Sequence, residues 1–174
     1  LQELKAARFA SLFERLDTRG DAEAVSLHYL TSLSTRAYFL PGARDVLNAL
    51  SRTSALCLVT NGISLVQRGR LERSGVAGLF RAVLISEELG FAKPDPRFFQ
   101  AATDSLSLPA DSVLCVGDNP AADIAGAQSA GIDACWYAPS GAPWPGPGRP
   151  PALVIRDLAE VLPLAAPMFT KNAI

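Results

Sequence analysis

A chain of 174 residues with 49 % hydrophobic and 19 % charged side chains has the apolar material for one packed domain, perhaps with a small appendage, and its composition excludes disorder. A net charge of −1 with no basic block gives no footprint for a nucleic acid polymer. No apolar run approaches the ~18 residues of a membrane span, and the start, Leu1-Gln-Glu-Leu-Lys5, has neither an initiator Met nor a signal-peptide layout. The three cysteines, Cys57, Cys115 and Cys135, sit in apolar strand-like runs and match no zinc spacing. They read as reduced, buried thiols of a cytoplasmic protein.

Residues 1–37 read as helical, with Leu4, Phe9, Leu12, Phe13 and Leu16 on one apolar face. Asp17-Thr-Arg-Gly-Asp21 is a turn, and Asp21 is placed to cap a second helix carrying Val25, Leu27, Tyr29, Leu30 and Leu33, so the two form a helical hairpin. His28, the only histidine, has no ligand partners beside it and reads as structural or exposed. Tyr38-Phe-Leu-Pro-Gly42 punctuates the chain, and the texture then changes. Short apolar strands are predicted at Ala55–Val59, Ala82–Ile85, Val113–Val116, Ala134–Tyr137 and Leu153–Ile155. Helices are predicted at Ala43–Ser51, Ser64–Ser74, Pro96–Leu106 and Ala121–Ala130, with a last turn or two over Asp157–Leu162. Glu87–Lys93 reads as a loop. Ser140–Pro151, rich in Pro and Gly, reads as an extended surface loop in which Trp144 either packs on the surface or binds something. Strands alternating with helices imply an α/β fold with a parallel sheet and right-handed crossovers.

Such sheets build ligand sites beyond the carboxyl ends of their strands. Three of these ends carry polar residues. Thr60-Asn61-Gly62 offers a hydroxyl and backbone N–H groups suited to a phosphate oxygen, or simply a helix cap. Lys93 sits in Gly90-Phe-Ala-Lys-Pro-Asp-Pro96, where two prolines stiffen the loop; it is either a fixed cation or an ordinary surface lysine. Val113-Leu-Cys-Val-Gly-Asp118 ends in a hard oxygen donor suited to Mg²⁺, and Asp123 follows five residues later, placed to support that ligand or to orient Lys93. If the three ends converge, the site holds the parts for binding and polarising a phosphoryl group.

In combination, Leu58-Val-Thr-Asn-Gly62, Gly90-Phe-Ala-Lys-Pro-Asp-Pro96 and Val116-Gly-Asp-Asn-Pro-Ala-Ala-Asp123 resemble the second, third and fourth motifs of the haloacid dehalogenase superfamily, in order and spacing. The resemblance covers about residues 38–139. Phe39-Leu-Pro-Gly-Ala43 looks like the family's return to the core after a helical cap, and Gly131-Ile-Asp-Ala-Cys-Trp-Tyr-Ala138 is similar to the branch that includes pyrimidine 5′-nucleotidases; phosphoglycolate phosphatase-like members are comparable. The resemblance implies a Rossmann-like core, residues 38–174, with a partial α-helical cap, residues 1–37. It implies Mg²⁺-dependent hydrolysis of a small phosphorylated metabolite, a nucleotide for example, through an aspartyl-phosphate. Carried over, Thr60 binds phosphoryl oxygens with backbone help at Asn61. Lys93 neutralises nucleophile and phosphate. Asp118 ligates Mg²⁺, with Asp123 supporting that ligation.

The family's first motif, Asp-x-Asp at the end of the first strand, is absent from this sequence, and Asp17, Asp21, Asp95 and Asp104 do not follow a strand. The expectation is therefore that the sequence is part of a longer protein. The strand bearing the nucleophile would lie between the strands at 56–59 and 113–116, leaving a slot there roughly two strand spacings of about 4.8 Å wide. Two alternatives stand beside the phosphatase: a 2-haloacid dehalogenase, and a non-catalytic binding domain of the same fold. A monomer or homodimer is expected, with no membrane partner.

Overall fold

A computed structural model of the protein describes residues 2–147 and 150–165, with side chains from residue 5 onward. Two compact units are distinguished: Leu1–Tyr38 with Leu65–Gly75, and Phe39–Ser64 with the chain from Val76. The boundary at Tyr38 falls at the Pro/Gly punctuation, whereas the grouping of Leu65–Gly75 with the N-terminal helices has no signal in the sequence.

The first unit contains α1 (Gln2–Arg15), α2 (Ala22–Ser34) and most of α4 (Ser64–Ser74). Asp21 caps α2 by accepting from the backbone N–H groups of Glu23 and Ala24 at 3.0 and 2.9 Å, as expected of an acid at that position. The Ser26 hydroxyl donates to the Lys5 carbonyl at 3.0 Å and ties the hairpin together. The Arg8 guanidinium lies over the rings of Phe9 and Tyr29, 4.8 and 4.6 Å from their centroids. Gly69 allows α4 to approach α2: a Cβ there would lie 2.7 Å from Ser34 Cβ. His28 is exposed, and the Leu4 side chain lies outside the described residues.

In the second unit every paired strand is parallel. β1 (Leu56–Thr60) pairs with β2 (Phe80–Ile85), while β3 (Leu114–Gly117), β4 (Asp133–Tyr137) and β5 (Leu153–Ile155) form a second sheet in that order. β4 is covered on both faces, and its side chains divide by the two-residue period of a strand. Ala134, Trp136 and the following Ala138 join Phe98 and Phe99 of α6 (Pro96–Leu106) and Ile124 in one core. Cys135 joins Val46 of α3 (Ala43–Leu50), Ile155 and Val161 in the other. Helices thus flank the sheet on both sides, the Rossmann-like arrangement expected from the alternation.

Two segments differ from the sequence reading. Glu87–Lys93, expected as a loop, begins within a short helix, α5 (Ser86–Leu89), which Gly90 ends at φ 79°. The helix expected over Ala121–Ala130 opens instead as a π-helical turn, Pro120–Ala125, before α7 (Gly126–Ser129). The Asn119 side chain accepts from the N–H groups of Ala121 and Ala122, while the Asn119 carbonyl accepts from both Asp123 and Ile124, the latter a wide π-type bond. The described part of the chain closes with a capping box at Asp157 and Glu160, a 3₁₀ turn (Leu158–Val161) and α8 (Leu162–Ala165).

β1 and β3 do not pair. Between them runs an apolar groove with a cavity of about 310 Å³, its walls formed by Leu56, Cys57 and Val59 on one side and Leu114, Cys115 and Val116 on the other. It lies where the sequence reading places a strand-wide slot.

Candidate active site

The carboxyl ends of β1 and β3 are joined by one side chain. Lys93 Nζ donates to the Val59 carbonyl at 3.1 Å and to Asp123 Oδ1 at 2.6 Å. The Lys93 and Asp123 side chains are 9 % and 10 % exposed, so the pair is shielded from water and the short charge-assisted bond is a strong one. The second carboxylate oxygen of Asp123 accepts from the Asn119 N–H at 3.0 Å. A continuous polar path therefore runs from the end of β1, through the ammonium, to the loop after β3.

Each member of this path is held by local structure. The Lys93 loop is clasped by Asn61: its side-chain amide donates to the Lys93 carbonyl at 2.8 Å and its side-chain oxygen accepts from the Lys93 N–H at 2.9 Å. The Lys93–Pro94 peptide is cis. Downstream, Asp95 caps α6 by accepting from the Arg97 N–H, and the Arg97 guanidinium beside it holds the Asp95 carboxyl below its ordinary range. The loop after β1 is bound to the start of α5, where the Gly62 N–H donates to Ser86 Oγ at 2.9 Å and the Ser64 N–H to Glu87 Oε2 at 2.7 Å. Gly117 makes room for Asp123: a Cβ at Gly117 would lie 2.5 Å from Asp123 Oδ2.

The two remaining expected residues are left available. Thr60 ends β1, half-buried, and its hydroxyl makes no hydrogen bond among the described residues. Asp118 follows β3 directly and is exposed; its carbonyl accepts from the Trp136 indole N–H at 3.1 Å, while its carboxylate has no partner among the described residues. The residues fit one side of a divalent-cation site, with Asp118 as the hard oxygen donor. Asp123 follows in the π turn, with one carboxylate oxygen paired to Lys93 Nζ and the other accepting from the Asn119 N–H. Among the described residues no three His, Cys, Asp or Glu side chains are grouped to hold a metal ion alone.

Thr60, Asn61, Lys93, Asp118 and Asp123 are the residues expected from the sequence, and the hydrogen-bonded path runs between the strand ends and loops that carry them. The side-chain clasp of Asn61, the clearance at Gly117 and the indole donor Trp136 are not. The first joins residues 32 apart and the last joins residues 18 apart, so each depends on packing that no local motif reports.

Comparison with known proteins finds similarity over most of the chain. The family model described as haloacid dehalogenase-like hydrolase matches residues 2–131. Pyrimidine 5′-nucleotidase PynA of Streptococcus pneumoniae is 37 % identical over 140 residues, covering 79 % of this chain and 59 % of that protein. The chain therefore spans about three fifths of the length of that relative. The crystal structure of the HAD-hydrolase YfnB of Bacillus subtilis bound to magnesium is similar with a TM-score of 0.81 and 32 % identity, covering 94 % of this chain and 72 % of that one. A 2-haloacid dehalogenase of Pseudomonas syringae is similar with a TM-score of 0.75 and 30 % identity, covering 99 % of this chain and 74 % of that one.

Proposed function

Because the chain belongs to the haloacid dehalogenase-like hydrolases, we propose that it builds the phosphate-binding and metal-binding side of a phosphatase acting on a small phosphorylated metabolite. The observation that carries this reading is the Lys93 ammonium, held between the Asp123 carboxylate and the carbonyl of Val59, a residue of the groove wall. A cation fixed there meets the charge of a phosphoryl group without having to reorganise, which is how such sites stabilise developing negative charge.

The roles follow from what each side chain has free. The Thr60 hydroxyl donates to a phosphoryl oxygen. Lys93 neutralises the phosphate and the attacking carboxylate. Asp118 offers its unpaired carboxylate to Mg²⁺, and Asp123 keeps both Lys93 and the Asn119 amide in position. Bound Mg²⁺ supplies Lewis-acid polarisation of the phosphoryl oxygens. The nucleophilic aspartate belongs to a strand that enters the groove parallel to β1 and β3, so that its carboxyl end reaches Lys93. Support for that placement comes from the apolar walls of the groove and from the edges of β1 and β3 that are unpaired among the described residues.

The likeness to PynA supports a pyrimidine nucleoside monophosphate as the substrate. The likeness to the Pseudomonas dehalogenase favours a second reading, removal of halide from a 2-haloacid, for which the free carboxylate of Asp118 has no use. The free thiols Cys57, Cys115 and Cys135 suit a reducing cytoplasm, and among the described residues no helix is long and apolar enough to cross a membrane. We place the enzyme there as a monomer or homodimer.

The test uses the protein expressed from its whole reading frame. Orthophosphate release from an aryl phosphate and from uridine monophosphate is compared with chloride release from 2-chloropropionate, each beside Lys93→Ala. Phosphate release that falls ~10²-fold or more in the variant is expected. Chloride release without phosphate release would establish the dehalogenase reading. Release of neither would leave a non-catalytic binding domain.

A further inference from the structure

Both tryptophans of the chain, Trp136 and Trp144, lie in one cluster behind the Asp118 loop. Trp136 stands opposite Gly117 in the parallel register of β3 and β4, which brings its indole beside the residue that follows the strand. It is 7 % exposed, and its N–H donates to the Asp118 carbonyl at 3.1 Å. On the other side of that peptide the Asn119 N–H is taken by Asp123. The backbone around Asp118 is therefore pinned from both directions, and the carboxylate is the part left free.

The Pro/Gly-rich loop supplies the second half of the arrangement. Trp144 packs edge-to-face on Trp136, with ring centroids 5.0 Å apart and planes at 82°. At Gly146 the loop closes on the same region: a Cβ there would lie 2.3 Å from Trp144 Cζ2 and 2.7 Å from Pro120 Cβ. The loop thus touches Trp136, which holds the Asp118 carbonyl, and Pro120, which opens the π turn carrying Asp123. Trp144 Nε1 is buried with no hydrogen-bond partner among the described residues, and its ring packs on Trp136.

We propose that Trp136, backed by Trp144, is a positioning residue that fixes the Asp118 loop for cation binding. The proposal rests on the reading of Asp118 as the Mg²⁺ ligand. Its chemistry is that of outer contacts that orient a ligating group, whose loss lowers metal affinity by roughly 10–100-fold. In this arrangement the described part of the loop, residues 140–147, lies against the indole through Trp144.

Two measurements on the full chain decide it. Hydrogen exchange of the Gly117–Asp123 amides is followed without metal, and Mg²⁺ binding is followed by titration calorimetry. Trp136→Phe keeps an aromatic ring and removes the N–H. It is expected to speed exchange in that segment and to weaken Mg²⁺ binding about tenfold. Trp144→Ala is expected to speed exchange there too, and Trp144→Phe to restore wild-type exchange by keeping the ring contact. Unchanged exchange in both Trp136→Phe and Trp144→Ala would overturn the proposal. So would unchanged Mg²⁺ affinity in Trp136→Phe beside a wild type that binds. A wild type that binds no Mg²⁺ would overturn the cation-positioning role through the reading of Asp118, and exchange in the metal-free protein would still show whether the indole pins the loop.

Discussion

Lys93 and Asp123 form an ion pair in a setting that water hardly reaches, so each depends on the other. Asp123→Asn keeps the shape and the acceptor for the Asn119 N–H but leaves the ammonium with the Val59 carbonyl as its remaining partner. Removing one member of a shielded pair leaves an uncompensated charge. The expected result is a loss of about 3 kcal/mol in urea unfolding, together with loss of activity. A variant as stable as wild type would mean that the pair is solvated in solution. At this scale the sequence was legible where chemistry is carried by residue type and spacing: Thr60, Lys93, Asp118 and Asp123 all sit at strand ends or in the loops beyond them. It was illegible where a residue serves by fitting a distant one. Asn61, read as backbone help for a phosphate or as a cap, clasps the Lys93 backbone with its side chain, and Gly117 leaves room for Asp123.

The strands show how burial sets reactivity. Burial pushes the Cys57 thiol from 9.0 up to about 11, and pushes Cys115 up to about 12 with the nearby Asp123 charge adding to the effect. Burial likewise raises Cys135 to about 11, with a further contribution from Glu160. A raised folded-state value means that the protonated thiol is favoured by folding. Its contribution is whole below 9.0 and is lost as pH rises through about 11 to 12. Stability against urea should therefore fall above about pH 9, and alkylation near pH 8 should be much slower in the folded than in the unfolded chain. Equal alkylation rates in the two states would contradict this burial. Most elements were legible from periodicity and punctuation, α4 and α6 to the residue. The π turn at Pro120–Ala125 was not, because a helical pattern does not report the wide bond from the Ile124 N–H to the Asn119 carbonyl. Helix α5, four residues long, is too short to show a period.

For the molecule as a whole, the interruption between the two sheets is the feature that connects fold to activity. The alternation of strands and helices made the α/β class legible, and the absent Asp-x-Asp motif made a slot between β1 and β3 an expectation. The groove found there has apolar walls, and the carbonyl of one wall residue, Val59, accepts from the Lys93 ammonium. The sequence did not show that Leu65–Gly75 groups with the N-terminal helices, since contacts made by packing leave no trace in a local pattern. If Asp118 holds the cation, phosphate-ester hydrolysis depends on Mg²⁺. The most direct measurement is orthophosphate release by the full chain across a Mg²⁺ titration, for wild type and Asp118→Asn. Release is predicted to require Mg²⁺, to be abolished by chelation and to drop at least ~10²-fold in the variant. Release that is unaffected by chelation, or equal in Asp118→Asn, would contradict it.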